Sequence, residues 1–433
     1  MECLRVISEN VIIKEAMKIC FVTFGCRLNR AESLDLEAQY AAAGWDIVQL
    51  PSGEETDTLD DSVPDVIVVR GCSVTAKAQR DCEKKIAQLR TRFPAAEILT
   101  VGCHPDAKPI PPHLAPPSLP DADTPVNRRL SRAYLKVQDG CSGKCAFYIV
   151  PSFRGVPVSV PFEQALARAR AYIDAGFREI VVTGCNLCLY HDSNRRLPEL
   201  VSAIAGLESS GHRVRLGSIE PGLCDTSLLN AMEANPNICR FLHLSLQSGS
   251  NRMLRLMRRP YTIEQVEEFC VDATRRFGER LAFGADVITG FPGETDADFE
   301  ATKAFISSHL PFPITHLSSP ISHLPFLIPH LHIFPYSERE RTEAATMTPV
   351  VPVEVRRARV KELEIIAVAN HERFARSLIG QEVEVCVERD GNGRTDEYVR
   401  CLLKGTAPRR SIVRAVVDDY FPKTGSLSAT IRA

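Results

Sequence analysis

Three apolar strands in residues 18–105 alternate with two helical patterns, and each of these strands leads into a Gly-Cys pair. The strand ends read VTFGC, VVRGC and LTVGC, so that Cys26, Cys72 and Cys103 each follow a strand directly. Strands that alternate with helices form parallel sheets with crossover helices. Because the carboxyl ends of parallel strands meet at one edge, where open sheets bind ligands, the three thiols are expected to converge there. The pattern predicts an N-terminal doubly wound α/β domain.

The three cysteines have the chemistry of a soft-metal site. Thiolates select zinc or iron–sulfur clusters, and a preceding glycine lets the backbone approach a bulky cluster closely. Three thiolates favour an iron–sulfur cluster with one open iron, or a zinc ion completed by a further residue. The alternative is three buried structural cysteines, which are common in proteins. Their equivalent places at three strand ends favour metal.

Composition limits the classes of protein to which this chain can belong. The chain has 433 residues, 44% of them apolar, fifteen cysteines and a net charge of −2. Without a visible signal peptide or apolar span, so many cysteines indicate a reducing compartment, and we expect a cytoplasmic protein with no membrane partner. The charge provides no bulk positive field, so any binding of nucleic acid requires local basic patches.

Pro-rich stretches and changes in the hydrophobic pattern divide the chain into five segments. A Pro-rich linker follows the first domain, and six further strands alternate with helices, which predicts a central partial (β/α) barrel. Within the barrel segment SHLPFPITHL recurs as SHLPFLIPHL, a local duplication. A charged helix then leads into the short strands of a small β-barrel. The predicted boundaries are 17–105 for the N-terminal domain, 106–131 for the linker, 132–345 for the central domain with its duplication at 308–331, 352–376 for the helix and 377–433 for the β-barrel.

The loop after the first barrel strand carries a second group of cysteines. It reads LKVQDGCSGKCAFYIVPSFRG, with Cys141 and Cys145 four residues apart. The loop lies at the end of the barrel where active sites form. A three-thiolate iron–sulfur loop of the form C-x3-C-x2-C would place its last cysteine where this chain has Tyr148.

These residues resemble the radical-SAM methylthiotransferases that modify tRNA. The resemblance covers nearly the whole chain, because the Cys141 loop is followed in order by TGCNLCLY, RLGSIEP, HLSLQSGSNRMLRLMRRPYT, DVITGFPGETDADF and HLHIFPYS. The Gly-Cys turns resemble that family's N-terminal cluster-binding domain, and the last segment resembles its RNA-binding TRAM domain. MRRPYT, GFPGET and FPYS are most similar to the branch that acts on N6-threonylcarbamoyladenosine next to the anticodon.

The resemblance implies a radical-SAM barrel, two [4Fe–4S] clusters and S-adenosylmethionine (SAM). The barrel cluster would cleave SAM to a radical that takes hydrogen from C2 of the adenine. The cluster on Cys26, Cys72 and Cys103 would present sulfur there, and a second SAM would supply the methyl group. The implied partners are tRNA, a sulfur donor and an electron donor such as a flavodoxin or ferredoxin. Cofactors carry this chemistry, so no side chain is expected as a catalytic acid or base.

The motifs that resemble those of the family also indicate further site residues. The expected iron ligands in the barrel are Cys141 and Cys145. The residues expected to bind SAM at the barrel mouth are Thr183, Gly184, Asn186, Glu220 and Gln247, although Glu220 could instead cap a neighbouring loop. The residues expected to bind RNA phosphates are Arg252, Arg255 and Arg259, at helical spacing in NRMLRLMRRP, together with Arg409 and Arg410. The alternative for such basic residues is a solvated face.

Tyr148 departs from the family pattern, because a phenolate is a hard oxygen ligand and suits an iron–sulfur cluster poorly. Three explanations stay open. The chain is a catalytically impaired RNA-binding relative; it recruits another thiol, Cys185 or Cys188 being nearest in motif order; or the tyrosine is a sequence error, since its codons differ from those of cysteine by one base. A zinc-binding structural protein is a weaker alternative.

Overall fold

The computed structural model describes residues 16–50, 63–116, 125–127, 129–208, 211–307 and 326–432. The first copy of the predicted duplication, and the start of the second, lie outside these ranges. No helix within them is long and apolar enough to cross a membrane.

The N-terminal sheet is parallel throughout, in the order β2-β1-β3-β4. Its two helices cover opposite faces, because alternate residues of the strands pack on α1 around Tyr40 and on α2 around Ile86. This confirms the predicted doubly wound arrangement. The elements are β1 (Lys18–Thr23), α1 (Arg27–Ala42), β2 (Asp46–Ile47), β3 (Val66–Cys72), α2 (Ala76–Arg92) and β4 (Glu97–Cys103).

The central region alternates strands and helices, as the sequence predicts. Its elements are β5 (Ala133–Asp139), α3 (Val150–Arg154), β6 (Val158–Ser159), α4 (Phe162–Asp174), β7 (Glu179–Gly184), β8 (His191–Asp192), β9 (Arg195–Arg196), α5 (Leu197–Ala205), β10 (Arg213–Leu216), β11 (Ser218–Ile219), α6 (Thr226–Ala234), β12 (Phe241–Gln247), α7 (Asn251–Leu256), α8 (Ile263–Phe277), β13 (Ala282–Thr289), α9 (Asp296–Ile306) and β14 (His330–Pro335).

The barrel consists of two sheets, in the orders β10-β7-β5-β6 and β11-β12-β13-β14. The predicted strand RVRLGSIEP therefore divides at Gly217, with β10 paired to β7 and β11 paired to β12. Alternate strand residues, such as Leu135 and Val182, belong to the main apolar core with the outer helices. The residues between them face the barrel interior, because successive side chains of a strand point to opposite faces.

The chain ends in a closed five-stranded barrel, which confirms the predicted small β-barrel. Helix α10 (Val353–Ser377) leads into β15 (Glu382–Val387), β16 (Asn392–Thr395), β17 (Arg400–Lys404), β18 (Ile412–Phe421) and β19 (Ser426–Ile431).

The C-terminal barrel closes the amino ends of the central strands. Arg213 and Arg215, both buried, flank buried Glu179. Burial alone would raise the pKa of Glu179, but the arginine charges hold that pKa well below its usual range. Both guanidinium groups also donate hydrogen bonds at 2.8–3.0 Å to carbonyl oxygens of the C-terminal barrel, those of Glu384, Arg394, Thr395 and Asp396. The carboxyl ends of the central strands are thereby left for the candidate site.

Candidate metal and cofactor site

The structure brings Cys26, Cys72 and Cys103 together at the carboxyl edge of the N-terminal sheet. Cys72 and Cys103 lie opposite each other in the register of β3 and β4, and Cys26 immediately precedes α1. Burial raises the pKa of Cys72 and of Cys103, and a charge on Cys26 would raise both further. Gly25 has φ +88°, and a Cβ there would lie 2.8 Å from the Cys72 sulfur, so only glycine permits this approach.

Arg154, at the end of α3, joins this edge to the barrel. Its Nε donates to the Cys103 sulfur at 2.9 Å. Its other nitrogens donate to Asn29 at 2.8 Å, to Glu32 at 2.9 Å and to Asp139 at 2.9 Å. One buried guanidinium therefore connects α1 and β4 of the N-terminal sheet with β5 of the barrel.

The carboxylates around Arg154 are ionised. Burial alone would raise the pKa of Glu32, but the hydrogen bond from Arg154 and the charges of Lys136, Arg154 and Arg70 lower it. Asp139 behaves in the same way, and its pKa falls to about 2 because Lys136 and Arg154 donate to it. The network adds fixed positive charge beside the three thiols.

Cys141 and Cys145 lie on the loop after β5, and both sulfurs face Gly143. A Cβ on Gly143 would lie 3.2 Å from the Cys141 sulfur and 3.6 Å from that of Cys145. The Gly143 backbone N–H donates to the Cys141 sulfur at 3.2 Å, and Arg259 donates to the Cys145 sulfur at 3.1 Å. Each sulfur therefore accepts one hydrogen bond, and burial raises the pKa of Cys145 against the opposing charge of Arg259.

Tyr148 belongs to the same loop, and its backbone N–H donates to the Cys145 carbonyl at 3.3 Å. Burial raises its pKa well above the ordinary tyrosine value, and charges on Cys185, Cys26, Cys141 and Cys103 would raise it further. The side chain is therefore a neutral phenol at neutral pH. Cys185 also lies 3.5 Å from an Asp139 oxygen, whereas Cys188 lies 3.0 Å from the Cys224 sulfur. Of the two alternative thiols, Cys185 faces the loop and Cys188 pairs elsewhere.

A chain of polar contacts crosses the barrel mouth beside Cys145. The Asn186 backbone N–H donates to Gln138 at 2.8 Å, and its side chain donates to Glu220 at 2.5 Å. Glu220 in turn forms an ion pair with Arg259 at 3.1 Å. The structure therefore places the predicted residues Asn186 and Glu220 in direct contact.

The other residues expected at the mouth lie at strand ends. Thr183 is buried and Gly184 ends β7, packed against Gln138, where a Cβ would lie 3.0 Å from that side chain. Gln247 ends β12 with φ +69°.

Arg259 lies beyond the helix that carries the arginine face expected on NRMLRLMRRP. Helix α7 ends at Leu256 and Arg258 has φ +58°, so the chain turns before Arg259. The Arg259 side chain is 6% exposed and enters the barrel mouth. Arg252 binds Asp298 and the Gly293 carbonyl, and Arg255 is exposed.

Arg409 and Arg410 contact the segment that precedes the barrel. Arg409 donates to the Ser131 hydroxyl at 2.8 Å, and Arg410 donates to the Leu130 carbonyl at 3.1 Å. Both side chains are half-buried. Their present contacts fasten the C-terminal barrel to the segment that leads into β5.

Sequence reasoning missed Arg154, Asp139, Gln138 and the inward role of Arg259. Asp139 and Arg154 stand within the loop motif KVQDGCSGKCAFYIVPSFRG, and Gln138 alternates with Lys136 along β5. Polar residues at every second place of a buried strand are a signal for inward-facing positions. Nothing local indicates the position of Arg259, since it depends on where α7 ends.

Comparisons with known proteins agree with this arrangement. The radical SAM superfamily matches residues 135–306, and the uncharacterized protein family UPF0004 matches residues 18–112. "Threonylcarbamoyladenosine tRNA methylthiotransferase MtaB" of Chlamydia pneumoniae is 32% identical, with 92% of this chain and 94% of the relative covered. The MtaB of Rickettsia prowazekii is 28% identical, with 91% and 93% covered.

A second kind of relative has a different name. The "tRNA-2-methylthio-N(6)-dimethylallyladenosine synthase" of Cereibacter sphaeroides is 29% identical, with 88% of this chain and 89% of the relative covered. Among solved structures, the radical S-adenosylmethionine methyltransferase TsrM of Kitasatospora setae has a TM-score of 0.51 at 13% identity, covering 76% and 77%. That likeness confirms the fold.

Radical-SAM enzymes use SAM and a [4Fe–4S] cluster, and the methylthiotransferases among them carry two clusters. Cys26, Cys72 and Cys103 fit one such cluster, since three thiols converge at one edge beside a cation. The Cys141 loop does not fit the usual three-thiolate set, because it offers two thiols and the neutral phenol of Tyr148.

The fold, the two cysteine groups and the relatives lead to one assignment. Sequence identity to the Chlamydia pneumoniae MtaB reaches 32% and extends over almost the whole of both chains. The chain belongs to the radical-SAM tRNA methylthiotransferase family, and it is most similar to the threonylcarbamoyladenosine branch.

Proposed function

We propose that this protein methylthiolates C2 of N6-threonylcarbamoyladenosine in tRNA, next to the anticodon. SAM would serve both as radical source and as methyl donor. The observation that carries the proposal is that the chain around Arg154 contacts both cysteine groups: Arg154 Nε donates to the Cys103 sulfur at 2.9 Å, and the Cys141 backbone N–H donates to the Gly155 carbonyl at 3.1 Å. The relatives named MtaB support the choice of modified nucleoside.

The N-terminal cysteines have the role of holding the auxiliary cluster. Cys26, Cys72 and Cys103 would be its ligands, and the bound cluster would supply sulfur to the substrate carbon. Arg154 lies 2.9 Å from the Cys103 sulfur and stabilises the thiolate form by its charge. The same side chain fastens the N-terminal sheet to β5, so it keeps the sulfur source beside the barrel mouth.

The barrel mouth supplies the groups that would bind SAM. The methionine part of SAM carries an ammonium and a carboxylate, and the mouth offers one side chain suited to each: Glu220 for the ammonium and Arg259 for the carboxylate. Asn186 holds Glu220 in place, and Gln138 holds the backbone of Asn186. Thr183, Gly184 and Gln247 would complete the walls of this site.

Binding of tRNA would use the cations left exposed around these elements. Arg255 on α7 and Arg414 on β18 are exposed and suited to phosphate contacts. Arg252, Arg409 and Arg410 would contribute only after exchanging their present partners. Electron and sulfur donors, such as a flavodoxin or ferredoxin for the first, complete the reaction.

A second candidate function follows from Tyr148. With two thiols and a neutral phenol, the barrel loop is a poor iron–sulfur site. The protein would then be a catalytically impaired relative that binds RNA and retains the auxiliary cluster. The two candidate functions predict different iron contents of the protein and different modified nucleosides in the tRNA.

The test is expression in a bacterium that lacks its own threonylcarbamoyladenosine methylthiotransferase, with nucleosides from its tRNA analysed by mass spectrometry. The proposal expects the methylthiolated threonylcarbamoyl nucleoside with the parent chain and none with Cys103→Ala. Cys270→Ala, which alters a buried cysteine on α8, is the matched control and keeps the product. Absence of product, with about four irons per chain, supports the impaired relative. A methylthiolated dimethylallyl nucleoside instead contradicts the proposed substrate.

A further inference from the structure

Two imidazoles and a carboxylate meet inside the barrel, away from the cysteines. His243 lies on β12, Asp286 on β13 and His332 on β14, three neighbouring parallel strands. His243 Nε2 is 3.0 Å from one Asp286 carboxylate oxygen, and His332 Nδ1 is 3.2 Å from the same oxygen. One ligand atom from each residue lies within 4.8 Å of the others. Among the described residues this is the group whose donors stand close enough to share one ion.

We propose that His243, Asp286 and His332 bind a divalent transition-metal ion of the zinc class. Imidazole nitrogen and carboxylate oxygen suit zinc, and three protein ligands with a further open position are typical of a reactive rather than a structural zinc site. Ligand atoms on a tetrahedral zinc stand roughly 3.3–3.4 Å apart, given bonds of about 2.0–2.1 Å. The two contacts to Asp286 already approach that spacing. Rotation of the imidazoles would bring the two histidine nitrogens to the same distance from each other.

Strand register places the three side chains on one surface. His332 is directly opposite Asp286 in the β13–β14 ladder, and His243 is opposite Gly284 in the β12–β13 ladder. A Cβ on Gly284 would lie 2.3 Å from His243 Nδ1, so only a glycine leaves room for this imidazole. The backbone therefore accommodates the ring where it reaches Asp286.

The site opens on one side. His243 is buried, Asp286 is partly buried and His332 is exposed, so the group extends from the interior towards solvent. It borders a cavity of about 370 Å³ between the central barrel, α10 and the C-terminal barrel. The cavity provides an entry path for the ion and space for water or another small oxygen ligand at the open position.

Two other histidines of the cavity have different partners. His330 bonds to the Glu397 carbonyl at 3.1 Å, and His371 bonds to the Gly425 carbonyl at 2.9 Å. The first contact joins the C-terminal barrel to β14, and the second joins it to α10. Of the four histidines that line the cavity, His243 and His332 are therefore the pair directed at a carboxylate.

The test uses the full-length protein after anaerobic cluster reconstitution, with zinc added against a competing chelator. Zinc per chain is measured by mass spectrometry, and X-ray absorption at the zinc edge distinguishes nitrogen and oxygen ligands at about 2.0–2.1 Å from sulfur at about 2.3 Å. We expect one zinc per chain with nitrogen and oxygen ligands only. Sulfur ligation would mean zinc in a cysteine group, and it overturns the proposal, as does absence of bound zinc.

Single substitutions distinguish zinc binding by the three proposed ligands from effects of the surrounding cavity. His332→Gln changes an exposed ligand and is expected to weaken zinc binding by at least about tenfold, with Asp286→Asn behaving likewise. His371→Gln alters the same cavity without touching the trio and is expected to bind zinc as the parent does. Equal zinc affinity in His332→Gln and the parent would contradict the proposal. These readouts do not depend on tRNA modification, so the proposed activity and the metal site fail separately.

Discussion

The cysteines of the N-terminal sheet come from three strand ends, whereas those of the barrel come from one short loop. Cys72 and Cys103 face each other because β3 and β4 pair in register, so their spacing is a property of the sheet. Cys141 and Cys145 are spaced by the loop backbone around Gly143. A group assembled by strand register depends on the whole domain, while a group assembled by one loop can be altered by a single residue such as Tyr148.

The two groups also differ in electrostatics. The N-terminal group has Arg154 at 2.9 Å from one sulfur, with ionised Glu32 and Asp139 fixing that guanidinium. The barrel group has Arg259 at 3.1 Å from Cys145, but its third position holds the neutral phenol of Tyr148. Each group therefore has a cation, and only the N-terminal group has three thiols.

The largest expected effect is loss of the N-terminal cluster in Cys72→Ala. Removal of one of three thiolates is expected to lower the iron content by about four atoms per chain. Iron and acid-labile sulfide after anaerobic reconstitution measure this. Cys20→Ala, a buried cysteine in β1 of the same sheet, is the control and retains its iron. If both variants lose iron equally, the three strand ends do not form a ligand set.

Tyr148→Cys tests the cysteine group of the barrel loop. If the protein is the impaired relative, a third thiolate in the barrel loop raises the iron content by about four atoms per chain and increases SAM cleavage sharply. If the parent is the proposed enzyme, it already holds both clusters and its iron content does not change. Cleavage is followed by chromatography of the 5′-deoxyadenosine product.

Tyr148→Ser is the matched control for that variant. It removes the bulk of the ring without supplying a thiolate, so it is expected to change neither iron content nor cleavage. Equal gains in the serine and cysteine variants would show that steric crowding, and not the missing ligand, limits the parent loop.

Arg154→Ala is expected to lower the free energy of unfolding of the N-terminal domain by about 3 kcal/mol, because it breaks a buried ion-pair network. Trp45 is the single tryptophan and packs on Tyr40, so its fluorescence during denaturation reports this domain. Arg90→Ala, at an exposed place on α2, should shift stability by no more than about 0.5 kcal/mol. A similarly small shift for Arg154→Ala would show that Arg154 does not stabilise the contact between the N-terminal sheet and the barrel.

The smallest effect concerns Tyr398, which stacks on Phe241 at 4.8 Å. Burial alone would raise its pKa, but the charges of Arg27 and three further arginines lower the pKa of Tyr398 to about 7. An unfolded tyrosine titrates near 10. The unfolded chain therefore binds more protons between pH 7 and 10, so this group adds stability as pH rises and loses it as pH falls through 7.

Tyr398→Phe is expected to remove that contribution. The rise in unfolding free energy between pH 6.5 and 8.5 should be smaller in the variant than in the parent. Denaturation at the two pH values measures the difference. An identical pH dependence in both proteins would mean that Tyr398 keeps its proton in the folded chain.

Much of the fold could be predicted from local patterns. Apolar alternation and helix periodicity located the N-terminal strands, the six principal barrel strands and the closing β-barrel, and the Gly-Cys pairs indicated the three thiols. The position of Arg259 could not be predicted, because helical spacing extended the pattern past Leu256, where the helix ends. The His243, Asp286 and His332 group was missed, because its members are far apart in sequence and meet only through strand register.

The sequence by itself determined the residue types, the order of strands and helices, and the absence of a third cysteine in the barrel loop. Only the tertiary structure decided that Arg154 reaches Cys103, that burial keeps Tyr148 a neutral phenol and that Cys188 turns to Cys224. The physical reason is that local periodicity encodes which face of an element is apolar. Contacts between distant elements depend instead on register, on where helices end and on how the domains pack.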